Sequence, residues 1–202
     1  TGLATAAQRW RVHTCRRKET RLEIPLLQID AFASEAFKGN PAAVCLLDAP
    51  MPAGWMQNVA AEMNLSETAF VVPRAAAVND VAREGAGEYH LRWFTPAIEV
   101  PLCGHATLAS AHALWQTERL AETQGARFHT ASGVLVCRRV GGLIEMDFPA
   151  LIPQEAELPA SLTEALGVTP RKVLRHQRKD GTDGNFLLEL DSERTVRGLK
   201  PN

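Results

Sequence analysis

The chain has 202 residues, of which 46% are hydrophobic, and its formal net charge at pH 7 is −1. This length and composition suit a well-buried soluble core in one large or two small domains, and they exclude a disordered or fibrous chain. The near balance of charge argues against nucleic acid as a partner, because neutralising phosphates requires a clustered basic face.

The first 23 residues differ from the rest of the chain, since they hold six basic residues and only two acidic ones. They lack apolar periodicity and match a targeting peptide only in part. We therefore predict a disordered basic leader over residues 1–25, with organellar targeting as the alternative. The four cysteines, Cys15, Cys45, Cys103 and Cys137, show no paired spacing, which favours a reducing, cytoplasmic location over a disulfide framework.

The first predicted elements are separated by turn signals. Strands are expected at residues 26–33 and 42–47, joined by a turn at 37–41, where Gly39 supplies unusual dihedral angles and Pro41 blocks continued pairing. A helix is predicted over residues 53–63, because its apolar side chains recur on one face and would pack on a sheet.

Glu67 is the carboxylate that its position singles out. The helix is expected to end at Asn64, which tolerates a left-handed cap, and a strand is predicted at residues 69–73. Glu67 would then lie at a helix-to-strand corner between apolar neighbours, where a carboxylate is costly unless it is paired, hydrogen-bonded or protonated. The structural alternative is that Ser66 and Glu67 only satisfy backbone groups at the turn.

The stretch 89–115 predicts a binding site for an anion. A strand at 89–95 is ended by two prolines, and an alanine-rich helix begins at Gly104. Glycine allows close approach of a ligand, and the first N–H groups of a helix lack internal partners. His105, in the first turn, can donate a ring hydrogen bond to the anion. The uncharged run 100–117 contains too many polar residues for a membrane span, so we expect no membrane partner.

Two further residues of this stretch, Cys103 and His112, each allow more than one interpretation. Cys103 directly precedes the helix, whose dipole would favour the thiolate and lower its pKa, making it a nucleophile or a base; otherwise it packs behind the turn as a buried thiol. His112 shares a helix face with His105. Further ligands with suitable spacing are missing from the sequence, so we expect a packed histidine and no metal.

The remaining predicted elements are short. A surface loop is expected at 74–87, and residues 149–159, with three prolines, predict a linker. About 50 residues beyond it are a thin basis for an independent domain. The other elements are strands at 127–130, 134–139 and 143–148, the last two as a hairpin, a helix at 160–166, and strands at 172–176 and 185–190.

Three long blocks resemble the PhzF family of phenazine-biosynthesis-like isomerases. They are QIDAFASEAFKGNPAAVCLL (28–47), WMQNVAAEMNLSETAFVV (55–72) and LRWFTPAIEVPLCGHATLASAHAL (91–114). The resemblance implies an α+β, diaminopimelate epimerase-like fold, in which a curved sheet wraps around a central helix and a second, similar domain completes a cleft. On this basis residues 26–150 form the N-terminal domain, and residues 151–202 form a linker and the incomplete start of a truncated second domain.

The resemblance also implies roles for individual residues. Glu67 corresponds to the general acid and base that moves a proton between carbon atoms of a small cyclic amino-acid substrate. Gly104 and His105 correspond to the pair that binds the substrate near its carboxylate, and we extend substrate binding to Ala106 and Asn40. The family implies no metal or organic cofactor, a small carboxylate as the partner, and a homodimer.

Two departures from the family pattern leave other functions open. The chain stops before the aspartate and the Gly-Ser-Ala turn that the second domain brings to the cleft, so a non-catalytic binding or interaction module is one alternative. Related epimerases place a catalytic cysteine before the equivalent glycine, so an amino-acid racemase or epimerase using Cys103 is the other. We favour a cofactor-independent isomerase that uses Glu67.

Overall fold

The computed structural model describes residues 5–6, 23–74, 86–148, 150, 152–176 and 184–202. The chain forms two compact units, Thr1–Phe148 and Pro149–Asn202. Among the described residues, every helix is too short or too polar to cross a bilayer. The predicted loop at 74–87 lies largely outside the described residues, although Ala86 and Gly87 belong to a strand.

The first unit is built on one mixed sheet, with nine strands in its described part and the order β1-β2-β3-β4-β5-β7-β8-β9, while β6 pairs with β5. The β3–β4 and β5–β7 pairs are parallel and the others are antiparallel. The strands are β1 (Thr5–Ala6), β2 (Leu26–Ala31), β3 (Asn40–Leu46), β4 (Glu67–Pro73), β5 (Ala86–Phe94), β6 (Glu99–Val100), β7 (Gly125–Thr130), β8 (Gly133–Val140) and β9 (Leu143–Asp147).

Helix α2, Gly104–Gln116, is the central helix of this unit. Ten of its 13 residues are buried, and its apolar side chains share one core with residues of β2, β3, β4, β5, β7 and β8. Its buried hydroxyls are satisfied locally, because Thr107 donates to the carbonyl of Cys103 at 2.6 Å and Ser110 donates to that of Ala106 at 2.7 Å. The predicted α+β fold, a curled sheet around a buried helix, is confirmed.

Helix α1, Ala53–Met63, packs on the opposite face of the sheet. Phe70 and Val72 of β4 share a second core with α1, whereas the alternate residues Ala69 and Val71 face α2. The predicted helix matches these bounds, and its predicted cap is confirmed: Asn64 is left-handed, with φ of 49°, and its N–H donates to the carbonyl of Ala60.

Strand β4 begins two residues earlier than predicted. Glu67 is therefore the first residue of a strand rather than part of a corner, because it pairs in parallel register with Ala42 of β3. Strand β6 was not predicted. Its two residues form a strand through their pairing with Trp93 and Phe94 of β5, and a local sequence pattern does not show such pairing. In the predicted leader, Thr5–Ala6 pair with β2, while residues 1–4 and 7–22 lie outside the described residues.

The second unit contains a three-stranded antiparallel sheet and two short helices. Its strands β10 (Gln154–Glu155), β11 (Lys172–Arg175) and β12 (Phe186–Glu189) pair in that order. Strand β10 falls in the predicted linker, which is thus partly ordered by pairing with β11. Helix α3 (Ala160–Leu166) matches the prediction, and helix α4 (Glu193–Gly198) was not predicted, although Ser192 caps it by accepting the N–H of Thr195.

Candidate active site

Three segments of the chain meet where β3 and β4 begin. These two strands start side by side, and the N-terminus of α2 reaches the same place. The Ser66 hydroxyl lies 3.3 Å from Nε2 of His105 and 3.4 Å from Oδ1 of Asn40. The structure therefore brings together residues from all three blocks that resemble the PhzF family.

Glu67 and His105 are the neighbouring carboxylate and imidazole of this cluster. Oε2 of Glu67 lies 3.3 Å from Nε2 of His105, and the two side chains are 20% and 9% exposed. Burial lowers the pKa of His105, an effect that the negative charge of Glu67 and the carbonyl of Pro41 oppose. The imidazole is therefore neutral at pH 7, with one nitrogen donating and the other accepting. Small molecules can reach the partly exposed carboxylate from solvent.

Cys103 approaches the other nitrogen of the same imidazole ring. Its Sγ is 3.4 Å from Nδ1 of His105, and the residue is only 8% exposed. Burial raises the pKa of the Cys103 thiol to about 11, the charge of Glu67 adds to the rise, and the N–H groups of Ala106 and His105 oppose it. Of the two interpretations that the sequence left open, these surroundings favour the buried, protonated thiol, because the desolvation of the thiol outweighs the favourable end of the helix.

Glu67, Cys103 and His105 each place one donor atom within 4.8 Å of the others. Carboxylate, thiolate and imidazole are all ligands of zinc, so these residues form a candidate metal set that the sequence spacing did not indicate. However, Cys103 faces Nδ1 and Glu67 faces Nε2 of one ring. A metal would take one ring nitrogen only, whereas the two observed contacts use both nitrogens. Separate contacts at Nδ1 and Nε2 suit hydrogen bonds better than a metal cage.

The remaining predicted residues differ in their access to this cluster. Gly104 opens α2, and a methyl group added there would meet no atom within 4 Å, so the backbone of the first turn can be approached from this side. Asn40 reaches the cluster through Ser66. Ala106 is fully buried, and substrate binding by it stays a prediction. His112 is also outside the cluster; burial and nearby Arg139 lower its pKa.

Sequence reasoning missed Ser66 and Pro41 as members of the site. Ser66 lies between the side chains of Asn40 and His105, and the carbonyl of Pro41 accepts from the His105 ring. Ser66 carried one usable signal, its position directly before Glu67. Pro41 carried no such signal, because its contact with His105 is made by the backbone carbonyl, whose position depends on the register of β3 against β4.

A cavity of about 590 Å³ lies on the other face of the sheet. Its lining includes Phe70 and Val72 of β4, which point away from α2, and His90 and Arg92 of β5. Arg92 is already engaged there by Glu99, with two N···O distances of 2.7 Å. None of the residues that line this cavity belongs to the Glu67 cluster, and Glu99, the one carboxylate among them, is held by Arg92. We therefore take the Glu67 cluster as the candidate active site.

The curled sheet, its central helix and the Glu67–His105 pair define the class of the chain, an α+β protein of diaminopimelate epimerase-like fold. The chain belongs to the phenazine biosynthesis-like protein family, PhzC-PhzF, whose family model matches residues 29–202. The match includes every residue of the cluster described above.

Relatives and solved structures agree with this assignment. An uncharacterized isomerase of Halalkalibacterium halodurans is 46% identical over 179 residues, which are 88% of this chain and 61% of that protein. The mouse phenazine biosynthesis-like domain-containing protein 2 is 42% identical, over 84% of this chain and 62% of its own. The chain thus spans about three fifths of the length of these curated relatives.

The crystal structure of a PhzF family protein from Enterococcus faecalis aligns with a TM-score of 0.71 and 36% identity, covering 89% of this chain and 62% of that one. A predicted epimerase from Pseudomonas aeruginosa aligns with a TM-score of 0.63 at 23% identity, over 88% of this chain and 62% of its own, and supports the fold alone.

Proposed function

We propose that the protein is a PhzF-like isomerase that moves a proton between two carbon atoms of a small cyclic carboxylate, with Glu67 as both base and acid. The observation that carries this proposal is the 3.3 Å contact between Glu67 and His105 at the N-terminus of the central helix. Relatives named as isomerases support the reaction class.

In the proposed reaction, the Glu67 carboxylate removes a proton from one substrate carbon. The electron pair of the broken C–H bond shifts into the conjugated system of the substrate, and protonated Glu67 returns the proton to a second carbon, so the substrate is isomerised without net gain or loss of atoms. General acid–base catalysis of this kind requires a carboxyl group within hydrogen-bond distance of the proton in the bound substrate. Its 20% exposure leaves Glu67 accessible for such a contact.

The first turn of α2 is the proposed binding site for the substrate carboxylate. A helix N-terminus attracts anions through its N–H groups and its dipole, and Gly104 leaves the approach to that backbone open. His105 lies between this turn and Glu67, where a neutral imidazole can donate a hydrogen bond without adding a competing charge. No step of the proposed reaction uses a metal or an organic cofactor.

The surroundings of Cys103 do not favour the alternative of a cysteine-based racemase. A thiol whose pKa is about 11 is protonated at neutral pH and is a poor base there. The cytoplasmic location and the homodimer expected from the sequence remain predictions.

The test is hydrogen exchange in D2O with a panel of cyclohexadiene amino carboxylates, followed by mass spectrometry and NMR. Glu67→Gln keeps the shape of the side chain and removes its basicity, so we expect the rate of deuterium incorporation to fall about 10²- to 10⁴-fold. Glu99→Gln, a half-exposed glutamate on β6, is the matched control and should exchange at the wild-type rate. Wild-type exchange by Glu67→Gln would contradict the proposal. Binding of a carboxylate without any exchange would favour the binding module.

A further inference from the structure

We propose that Cys103 is a positioning residue: its S–H group donates a hydrogen bond to Nδ1 of His105 and so holds the neutral imidazole in the tautomer that carries its proton on Nε2. The catalytic consequence of this inference rests on the proposed function. The tautomer itself follows from the contacts of the ring and can be tested without a substrate.

The neighbours of Nε2 favour a proton on that nitrogen. They are the Glu67 carboxylate at 3.3 Å and the Ser66 hydroxyl at 3.3 Å, and Ser66 is placed to donate its own proton to Oδ1 of Asn40. An ionised carboxylate can only accept hydrogen bonds, and a hydroxyl that donates to Asn40 is left to accept. An unprotonated Nε2 would turn its lone pair toward both of these acceptors, so the ring is best satisfied with the proton on Nε2.

The other ring nitrogen makes the complementary demand. With the proton on Nε2, Nδ1 carries a lone pair in a buried place and needs a donor. Sγ of Cys103, 3.4 Å away, is within the distance of a sulfur hydrogen bond. Burial raises the pKa of the thiol to about 11, so the S–H proton is present at physiological pH. The contacts at the two nitrogens therefore select the same tautomer.

This arrangement gives the buried thiol a function other than that of base or nucleophile. In the other tautomer, the Nδ1–H group of His105 would have only the weak sulfur acceptor of Cys103, and the Nε2 lone pair would face the charge of Glu67. Locking the ring keeps a donor aimed at the place where Glu67 and the substrate meet. Groups that orient the imidazole ligands of metal sites typically change activity by about 10- to 100-fold when they are removed, and we expect an effect at the lower end of this range here.

The first measurement is a long-range ¹H–¹⁵N NMR spectrum of the protein labelled with ¹⁵N-histidine, recorded at pH 8, with the His105 signals assigned by their loss in His105→Gln. We expect wild-type His105 to show a protonated Nε2 and an unprotonated, hydrogen-bonded Nδ1. A wild-type spectrum with the proton on Nδ1 would overturn the proposal at once, whether or not any variant folds.

Variants at Cys103 then test the cause. Cys103→Ala removes the donor, and we expect a mixture of the two tautomers, whereas Cys103→Ser supplies an O–H donor and should restore the wild-type spectrum. Cys137→Ala, which removes another buried thiol far along the chain on β8, should leave the His105 signals unchanged. A wild-type tautomer in folded Cys103→Ala would overturn the proposal.

Kinetics separate this inference from the proposed function. With an exchanging substrate, we expect kcat of Cys103→Ala to fall about tenfold, with KM little changed, and to recover in Cys103→Ser. Unchanged kcat in Cys103→Ala would overturn the catalytic part. If the Glu67→Gln variant keeps its activity, the proposed function fails, while the NMR result still decides the tautomer.

Discussion

Ala42 of β3 and Glu67 of β4 are paired neighbours in a parallel ladder, although they belong to different sequence blocks. Parallel strands point their N-terminal ends to the same edge of the sheet, so Pro41 near the start of β3 and Ser66 just before β4 are placed together there. The N-terminus of α2 completes the group with His105, whose ring contacts Ser66 and Glu67. The register of one strand pair thus assembles the candidate site.

Gly104→Ala should separate binding from folding. A methyl group at this position meets no atom within 4 Å, and alanine is a better helix former than glycine, so stability should be unchanged or rise by up to about 1 kcal/mol. Carboxylate affinity should fall about tenfold or more, because the methyl group would stand between the ligand and the first turn. Thermal unfolding and calorimetric titration with a cyclohexadiene carboxylate check both outcomes.

Gly54→Ala is the control for this prediction. Gly54 lies in the first turn of α1 and is equally open, so the variant should show the same change in stability with unchanged affinity. Equal affinity in Gly104→Ala and the wild type would show that the ligand does not approach this backbone.

Gly39→Ala should destabilise the fold. An added Cβ would lie 2.6 Å from the carbonyl oxygen of Ala31 and 2.8 Å from Cβ of Asp30, which forces the backbone to shift. We expect a loss of about 1 to 3 kcal/mol in the free energy of unfolding, measured by urea titration with tryptophan fluorescence. Activity should also fall, since the shift would move Asn40, the next residue. A variant as stable as the wild type would mean that the loop relaxes without cost.

The reactivity of Cys103 should report a protonated thiol. Because its pKa is about 11, the rate of its alkylation by iodoacetamide should rise about tenfold per pH unit from pH 8 to 10. Peptide mass spectrometry gives this rate for Cys103 and, in the same sample, for Cys45 and Cys137, whose pKa values burial raises to about 12. A rate for Cys103 that levels off below pH 8 would revive the cysteine-based alternative.

Stability should decrease as the pH falls from about 7 to 5. Burial lowers the pKa of both His105 and His112 in the folded state. Histidines of the unfolded chain titrate at about 6.5, so as the pH falls the unfolded state takes up protons before the folded state does. Protonation therefore favours unfolding in this range. His112→Gln, which does not touch the Glu67–His105 pair, should make the fall in the thermal midpoint shallower, as followed by tryptophan fluorescence. An identical slope in the variant would show that His112 does not contribute.

Local signals predicted helices α1, α2 and α3, but they missed the short helix α4 and the features that depend on tertiary pairing. Helices α1 and α3 each begin after a proline and end at a left-handed residue, Asn64 or Gly167, so their bounds could be read from neighbouring residues. The blocks around Glu67 and His105 could be singled out in the same way. Their contact could not, because it depends on the register of β3 and β4.

The protonation state of Cys103 likewise could not be predicted from neighbouring residues alone. The sequence places the thiol at the start of a helix, which predicts a lowered pKa. Its burial among residues distant in the chain raises the pKa instead, and burial is a property of the whole fold.

The left-handed Asn64 and the two residues after it set which side of the sheet receives the carboxylate. Neighbouring strand residues project in opposite directions, so shortening this connection by a single residue would rotate Glu67 toward α1 and present Thr68 to the imidazole of His105. The number of residues in this connection is therefore more constrained than their types. We expect homologous chains that retain the glutamate to tolerate substitutions at position 65 and to exclude insertions and deletions between the helix and the strand.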